Sequence, residues 1–197
     1  MSSIGDHISE VRERIARAAL RAGRKPDEVT LVAVTKTVGP EAVEEAIAAG
    51  VTQFGENRVQ MLLDKQKTPA LVAPDITWHL IGHLQTNKVK YVVGKCVLIH
   101  SVDSVKLAEE IDRQARKIGI VQDILIEVNI SGEETKSGIN PEKIYEMLDI
   151  IKDFQNIRVR GLMTIAPKTD NSITSKLHFD NIHKLFVDIR QKKYDNI

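Results

Sequence analysis

The feature that most constrains this chain is an alternation. Short apolar runs rich in β-branched residues recur, each followed by a stretch of helix length. The runs are VTLVAV from Val29, TQFGE from Thr52, TWHLIG from Thr77, VLIHSV from Val97, DILIEVNI from Asp123 and RVRGLMTI from Arg158. A strand–helix–strand repeat predicts parallel strands joined by right-handed crossovers. The helical stretches carry their own punctuation. Ile4, Ile8, Val11 and Ile15 follow helical spacing and predict an opening amphipathic helix. Pro40 sits at a helix first turn and Gly50 at its stop. Ser104 is placed to cap a helix bearing Leu107, Ala108, Ile111 and Ala115, and Asn140-Pro141 opens another bearing Ile144, Leu148 and Ile151. A last helix carries Leu177, Leu185, Phe186 and Ile189.

Two architectures compete for such a repeat. A doubly wound sheet normally shows a G-x-G-x-x-G turn after its first strand, and this chain has none. A TIM-type (β/α) barrel places functional residues at the C-terminal ends of many strands. The sequence offers Lys36, Glu56-Asn57, His83, Ser101 with Asp103, Asn129 and Met163-Thr164 at those points. The expectation is therefore an α/β chain of the TIM-barrel type. Only about six of the eight βα units of a full barrel are countable. The chain reaches QKKYDNI where a further strand is due, and nothing marks a second domain. Residues 1–197 are read as a single barrel domain, C-terminally incomplete.

Composition excludes several function classes. Lys and Arg (28) nearly cancel Asp and Glu (27), and aromatic residues make up 4%. Neither an electrostatic nor a base-stacking case for nucleic acid follows. The single cysteine, Cys96, lies in an apolar run and reads as a buried, inert thiol. The N-terminus has no apolar core of a secretory signal, and no run approaches the ~20 apolar residues of a membrane span. A cytoplasmic protein with no membrane partner is expected.

Lys36 is the first residue that can carry chemistry. Thr30, Val32, Val34 and Lys36 share one strand face, and Leu31, Ala33 and Thr35 the other. If Val32 and Val34 fill a barrel interior, Lys36 rises from an apolar wall, and desolvation favours a nucleophilic amine. Position alone fits equally a lysine snorkelling into solvent. A Schiff-base lysine fits an aldolase as well as a pyridoxal phosphate (PLP) protein.

Other stretches say less. His79 and His83 are four apart but straddle a strand end and Gly82, so no metal site is expected. SGEETKSG from Ser131 lacks the Walker order and reads as a solvated loop whose backbone N–H groups can still face an anion. Asn57 can cap a helix or offer its amide to a ligand. No Ser-His-Asp arrangement or carboxylate pair is readable.

Six blocks in order add more: AVTKT (33–37), FGENRVQ (54–60), WHLIGHLQTNK (78–88), HSVDS (100–104), EVNISGEETKSGI (127–139) and RGLMTIAP (160–167). Together they resemble the pyridoxal phosphate homeostasis protein (YggS/PROSC) family. The resemblance implies a fold like the N-terminal barrel of alanine racemase, without that enzyme's second domain. It implies that Lys36 holds PLP as a Schiff base, with Asn57, His79 and Met163 around the cofactor. The implied role is intracellular PLP (vitamin B6) and amino-acid homeostasis without clear catalysis, in a monomer serving PLP-dependent apoenzymes. Racemisation needs two positioned acid–base groups, and only the lysine is recognisable. A PLP-dependent racemase or other amino-acid enzyme is the alternative; a cofactor-free aldolase and a structural barrel are further rivals. Family members continue into a segment that grips the cofactor phosphate, so this chain as written is expected to bind PLP weakly or to fold poorly.

Overall fold

Ser3 shows how local sequence starts the first helix. Its hydroxyl accepts the Asp6 N–H (3.1 Å) and the Asp6 carboxylate accepts the Ser3 N–H (2.8 Å), a reciprocal cap for α1 (Ile4–Arg21). This computed structural model describes residues 3–73, 75–133, 137–167 and 172–192. The chain divides into two compact units, Met1–His79 and Leu80–Ile197.

In the first unit, α1 is followed by β1 (Ala33–Val34), α2 (Pro40–Ala48), β2 (Gln53–Glu56) and α3 (Val59–Lys65). Pro40 opens α2, and Gly50 follows its end at φ +77°, as the sequence predicts. β1 and β2 are parallel, with Ala33 opposite Phe54 and Val34 opposite Gly55. β1 is shorter than VTLVAV suggests, because β2 begins only at Gln53, opposite the end of that run. Val34 is 48% exposed, so the apolar wall expected around Lys36 is not formed on that face. The core instead gathers Val43, Phe54, Leu62, Leu71 and Trp78. Phe54 and Trp78 lie 5.6 Å apart between ring centroids, and the indole N–H donates to the Leu71 carbonyl at 2.9 Å.

β3 (Thr77–Leu80) lies at the boundary in sequence, and the Thr77 N–H donates to the Thr52 carbonyl (2.8 Å). The stretch after it forms a 3₁₀ segment, Thr86–Tyr91, rather than an α-helix. Its Val89, Val92 and Val93 are buried, and these β-branched residues and Gly94 disfavour a long helix.

The second unit contains β4 (Leu98–Val102), α4 (Val105–Lys117), β5 (Gln122–Glu127), α5 (Ile144–Ile151), β6 (Ile157–Met163) and α6 (Ser172–Gln191). β4, β5 and β6 pair in parallel in that order. Arg158 holds the β5–β6 register by donating two hydrogen bonds to Asp123 across the strands, at 2.7 and 3.0 Å. Every apolar position the spacing assigns to α4 and α5 is buried, including Leu107, Ile111, Ile144 and Leu148, and Asp112 and Met147 join them. Ser104 occupies the N-cap position of α4, but its hydroxyl donates to the Asp103 carboxylate (3.2 Å) rather than capping the helix. On α6, Ile189 is buried while Leu177 is 56% exposed, against the expectation that both face a core. Among the described residues no helix is long and apolar enough to cross a membrane.

Candidate functional site

The end of β1 is built from behind. The Thr35 N–H continues the ladder to the Gly55 carbonyl (3.0 Å), and the Thr35 side chain is buried. Its hydroxyl donates to Glu56 Oε1 (2.6 Å). Lys65 Nζ, from the last turn of α3, lies 2.5 Å from the same carboxylate oxygen and 2.5 Å from the Thr35 carbonyl. Glu56 is fully buried and Lys65 is 6% exposed. The second carboxylate oxygen, Glu56 Oε2, has no hydrogen-bond partner among the described residues.

Lys36 follows in a turn closed by the Val38 N–H donating to the Thr35 carbonyl (3.2 Å), and Lys36 is exposed. It makes no hydrogen bond or ion pair with any described residue. β1 ends at Val34 and β2 at Glu56, so Lys36 and Asn57 each follow closely on the end of a paired strand. Asn57 is half-buried and does not cap α3, whose N-cap residue is Arg58. An available amine and an amide without a hydrogen-bond partner among the described residues thus each follow the end of one of two paired strands.

His79, on β3, is buried, and its Nε2 lies 2.8 Å from Gln53 Oε1. Burial pulls its pKa below the ordinary 6.5, so the neutral imidazole is favoured.

The second unit gathers a different group at its strand ends. Glu127, the last residue of β5, is buried, and its carboxyl makes no hydrogen bond with a described residue. Burial raises its pKa, the Asp103 charge raises it further, and His83 opposes both. His83 Nδ1 lies 3.8 Å from Asp103 Oδ2. Ser101 donates its hydroxyl to the Gly82 carbonyl (2.6 Å). Among the described residues no group of three or more His, Cys, Asp and Glu side chains is arranged to hold a metal ion.

Asn129 organises the following loop: its Oδ1 accepts the Ser131 hydroxyl (3.1 Å) and the Gly132 N–H (3.1 Å), and its Nδ2 donates to the Glu133 carbonyl (2.8 Å). Residues 134–136 of that glycine- and serine-bearing loop lie outside the described residues. Met163 ends β6 half-buried, its carbonyl accepting the Val128 N–H at 2.8 Å, and the Thr164 hydroxyl donates to the Val128 carbonyl (2.9 Å).

Sequence reasoning singled out Lys36, Glu56 and Asn57 but missed Lys65 and Glu127. Lys65 carried a signal: it stands three residues after the buried Leu62, on the same face of α3. Glu127 carried none, since a carboxylate closing an apolar strand resembles any polar strand end.

Comparison with known proteins decides the family. The profile of the alanine racemase N-terminal domain matches residues 7–196. The pyridoxal phosphate homeostasis protein of Aquifex aeolicus is 45% identical over 190 residues, 96% of this chain and 82% of that protein. The chain belongs to the pyridoxal phosphate homeostasis protein family.

Solved structures agree on the fold. A crystal structure of an unknown protein from Bifidobacterium adolescentis superposes with a TM-score of 0.90 at 36% identity, covering 98% of this chain and 81% of that one. PipY of Synechococcus elongatus, determined with PLP bound, gives 0.78 at 36% identity, covering 90% and 82%. The architecture is the alanine-racemase N-terminal type, with six parallel strands alternating with helices as part of a (β/α) barrel.

Proposed function

We propose that this chain binds PLP, that Lys36 Nζ carries it as a Schiff base, and that the protein serves PLP and amino-acid homeostasis rather than catalysing a reaction. The observation that carries this reading is the state of Lys36: an exposed amine, without an ion-pair or hydrogen-bond partner among the described residues, on a strand end clamped through Thr35. Its family membership and the PLP-bound PipY structure support the choice of aldehyde.

The chemistry fits an aldehyde-bearing group. The unprotonated Lys36 amine adds to the aldehyde carbon, gives up both N–H hydrogens, and the carbonyl oxygen leaves as water. Asn57, just past the end of the neighbouring strand, offers an amide for the cofactor. His79, held neutral by burial and oriented by Gln53, is a polar surface without added charge. Met163, in the second unit, keeps its assignment from the family resemblance alone.

A carrier needs reversible capture, and an exposed lysine that makes no ion pair or hydrogen bond with a described residue supplies that. The recipients are PLP-dependent apoenzymes, met by a cytoplasmic monomer. The test is the absorption band that appears when PLP is added. It is expected to vanish in Lys36→Ala, with no amino-acid turnover by the wild-type chain. A band unchanged in Lys36→Ala overturns the assignment, and turnover dependent on Lys36 replaces the carrier by an enzyme.

A further inference from the structure

Thr35, Glu56 and Lys65 form a buried polar cluster at the ends of β1 and β2, immediately before Lys36 and Asn57. We infer that Thr35, Glu56 and Lys65 are positioning residues for the PLP-capturing lysine, and this rests on the Schiff-base reading of Lys36.

Two contacts reach Thr35, the residue preceding Lys36, and a third joins their two partners. The Thr35 hydroxyl donates to Glu56 Oε1 at 2.6 Å, Lys65 Nζ meets the same oxygen at 2.5 Å, and Lys65 Nζ also donates to the Thr35 carbonyl at 2.5 Å. Main chain and side chain of Thr35 are thereby both tied. The next peptide unit then has little freedom, and Lys36 leaves the strand in one direction. Glu56 likewise precedes Asn57, so one cluster fixes the starting points of both groups.

Energetics favours placement over stability as the purpose. Enclosing an ammonium and a carboxylate is costly, and apolar side chains of similar volume are often as stabilising. Glu56 Oε2 lacks even a hydrogen-bond partner among the described residues. A cluster tuned for stability alone would satisfy that oxygen. What the arrangement supplies instead is a fixed direction for the neighbouring amine, as supporting shells do around other reactive groups.

The experiment is PLP titration with borohydride fixation and peptide mass spectrometry, on wild type, Thr35→Val, Thr35→Ser and Glu56→Gln/Lys65→Met, with melting of the ligand-free proteins alongside. Label on the exposed Lys25 and Lys67 is the internal reference, because loosening of the whole fold spreads label over all lysines. Thr35→Val is expected to weaken capture at Lys36 about tenfold, the worth of one hydrogen bond to a charged group. Label at Lys25 and Lys67 stays unchanged, Thr35→Ser restores capture at Lys36, and Glu56→Gln/Lys65→Met weakens it again. Equal capture at Lys36 in wild type and Thr35→Val, whatever the melting temperatures, overturns this inference alone. Absence of label at Lys36 in wild type overturns the Schiff-base reading and this inference together.

Discussion

Lys65 Nζ and Glu56 Oε1 lie 2.5 Å apart with both side chains almost wholly enclosed, at 6% and 0% exposure. Removing one partner of such a pair strands the other. Lys65→Met is expected to cost about 3–5 kcal/mol, because Glu56 is left as an uncompensated buried carboxylate. Glu56→Gln/Lys65→Met, which removes both charges and keeps an acceptor for Thr35, is expected to recover most of that loss. Urea unfolding of the three proteins checks this. A loss below about 1 kcal/mol in Lys65→Met, the range of an exposed pair, contradicts the enclosure.

His79 gives the protein a pH dependence of known sign. Its folded pKa lies below the ordinary 6.5 because burial disfavours the charged ring. Between those two values the unfolded chain binds the extra proton, so stability rises with pH there. The contribution is fully present above 6.5 and is lost as pH falls through the lower folded value. The unfolding free energy of wild type is expected to fall more steeply below pH 6.5 than that of His79→Gln. Parallel curves would show that His79 is not held neutral.

How much of this was legible beforehand follows from particular residues. Periodicity places all six strands and the apolar faces of α4 and α5, because side-chain spacing reports which face is covered; on α1 it does not, since Val11 is exposed and only Ala19 is buried. It misplaces Val34 and Leu177, since spacing says that a face is apolar and not what covers it. Lys36 was visible as a charge at a strand end. Its clamp was not, because Thr35, Glu56 and Lys65 are joined across 21 and 9 residues by tertiary contacts alone.

Gly138 is required by geometry. It sits at φ +112°, and a Cβ there would lie 2.5 Å from the Asn129 backbone nitrogen. Gly138→Ala is expected to destabilise by at least about 1–3 kcal/mol, the cost of forcing a side chain into such a backbone state. Hydrogen exchange should localise the damage to the bridge between Val128 and Ile139. A stability equal to wild type contradicts this loop geometry.

Cys96 is buried, with its thiol pushed up to about 12, chiefly by burial. A disulfide-exchange reagent at pH 8 is expected to leave it unmodified in the native protein and to react fully in denaturant, since the thiolate is the attacking form. Rapid native-state labelling would place Cys96 at the surface.

The central claim concerns Lys36, and one measurement reaches it directly. The wild-type chain is incubated with PLP, reduced with borohydride and digested, and the modified peptide is sequenced by mass spectrometry. The expected result is one reduced cofactor adduct per chain, on Lys36. An adduct spread over exposed lysines with Lys36 unmodified, or no adduct at all, contradicts the account.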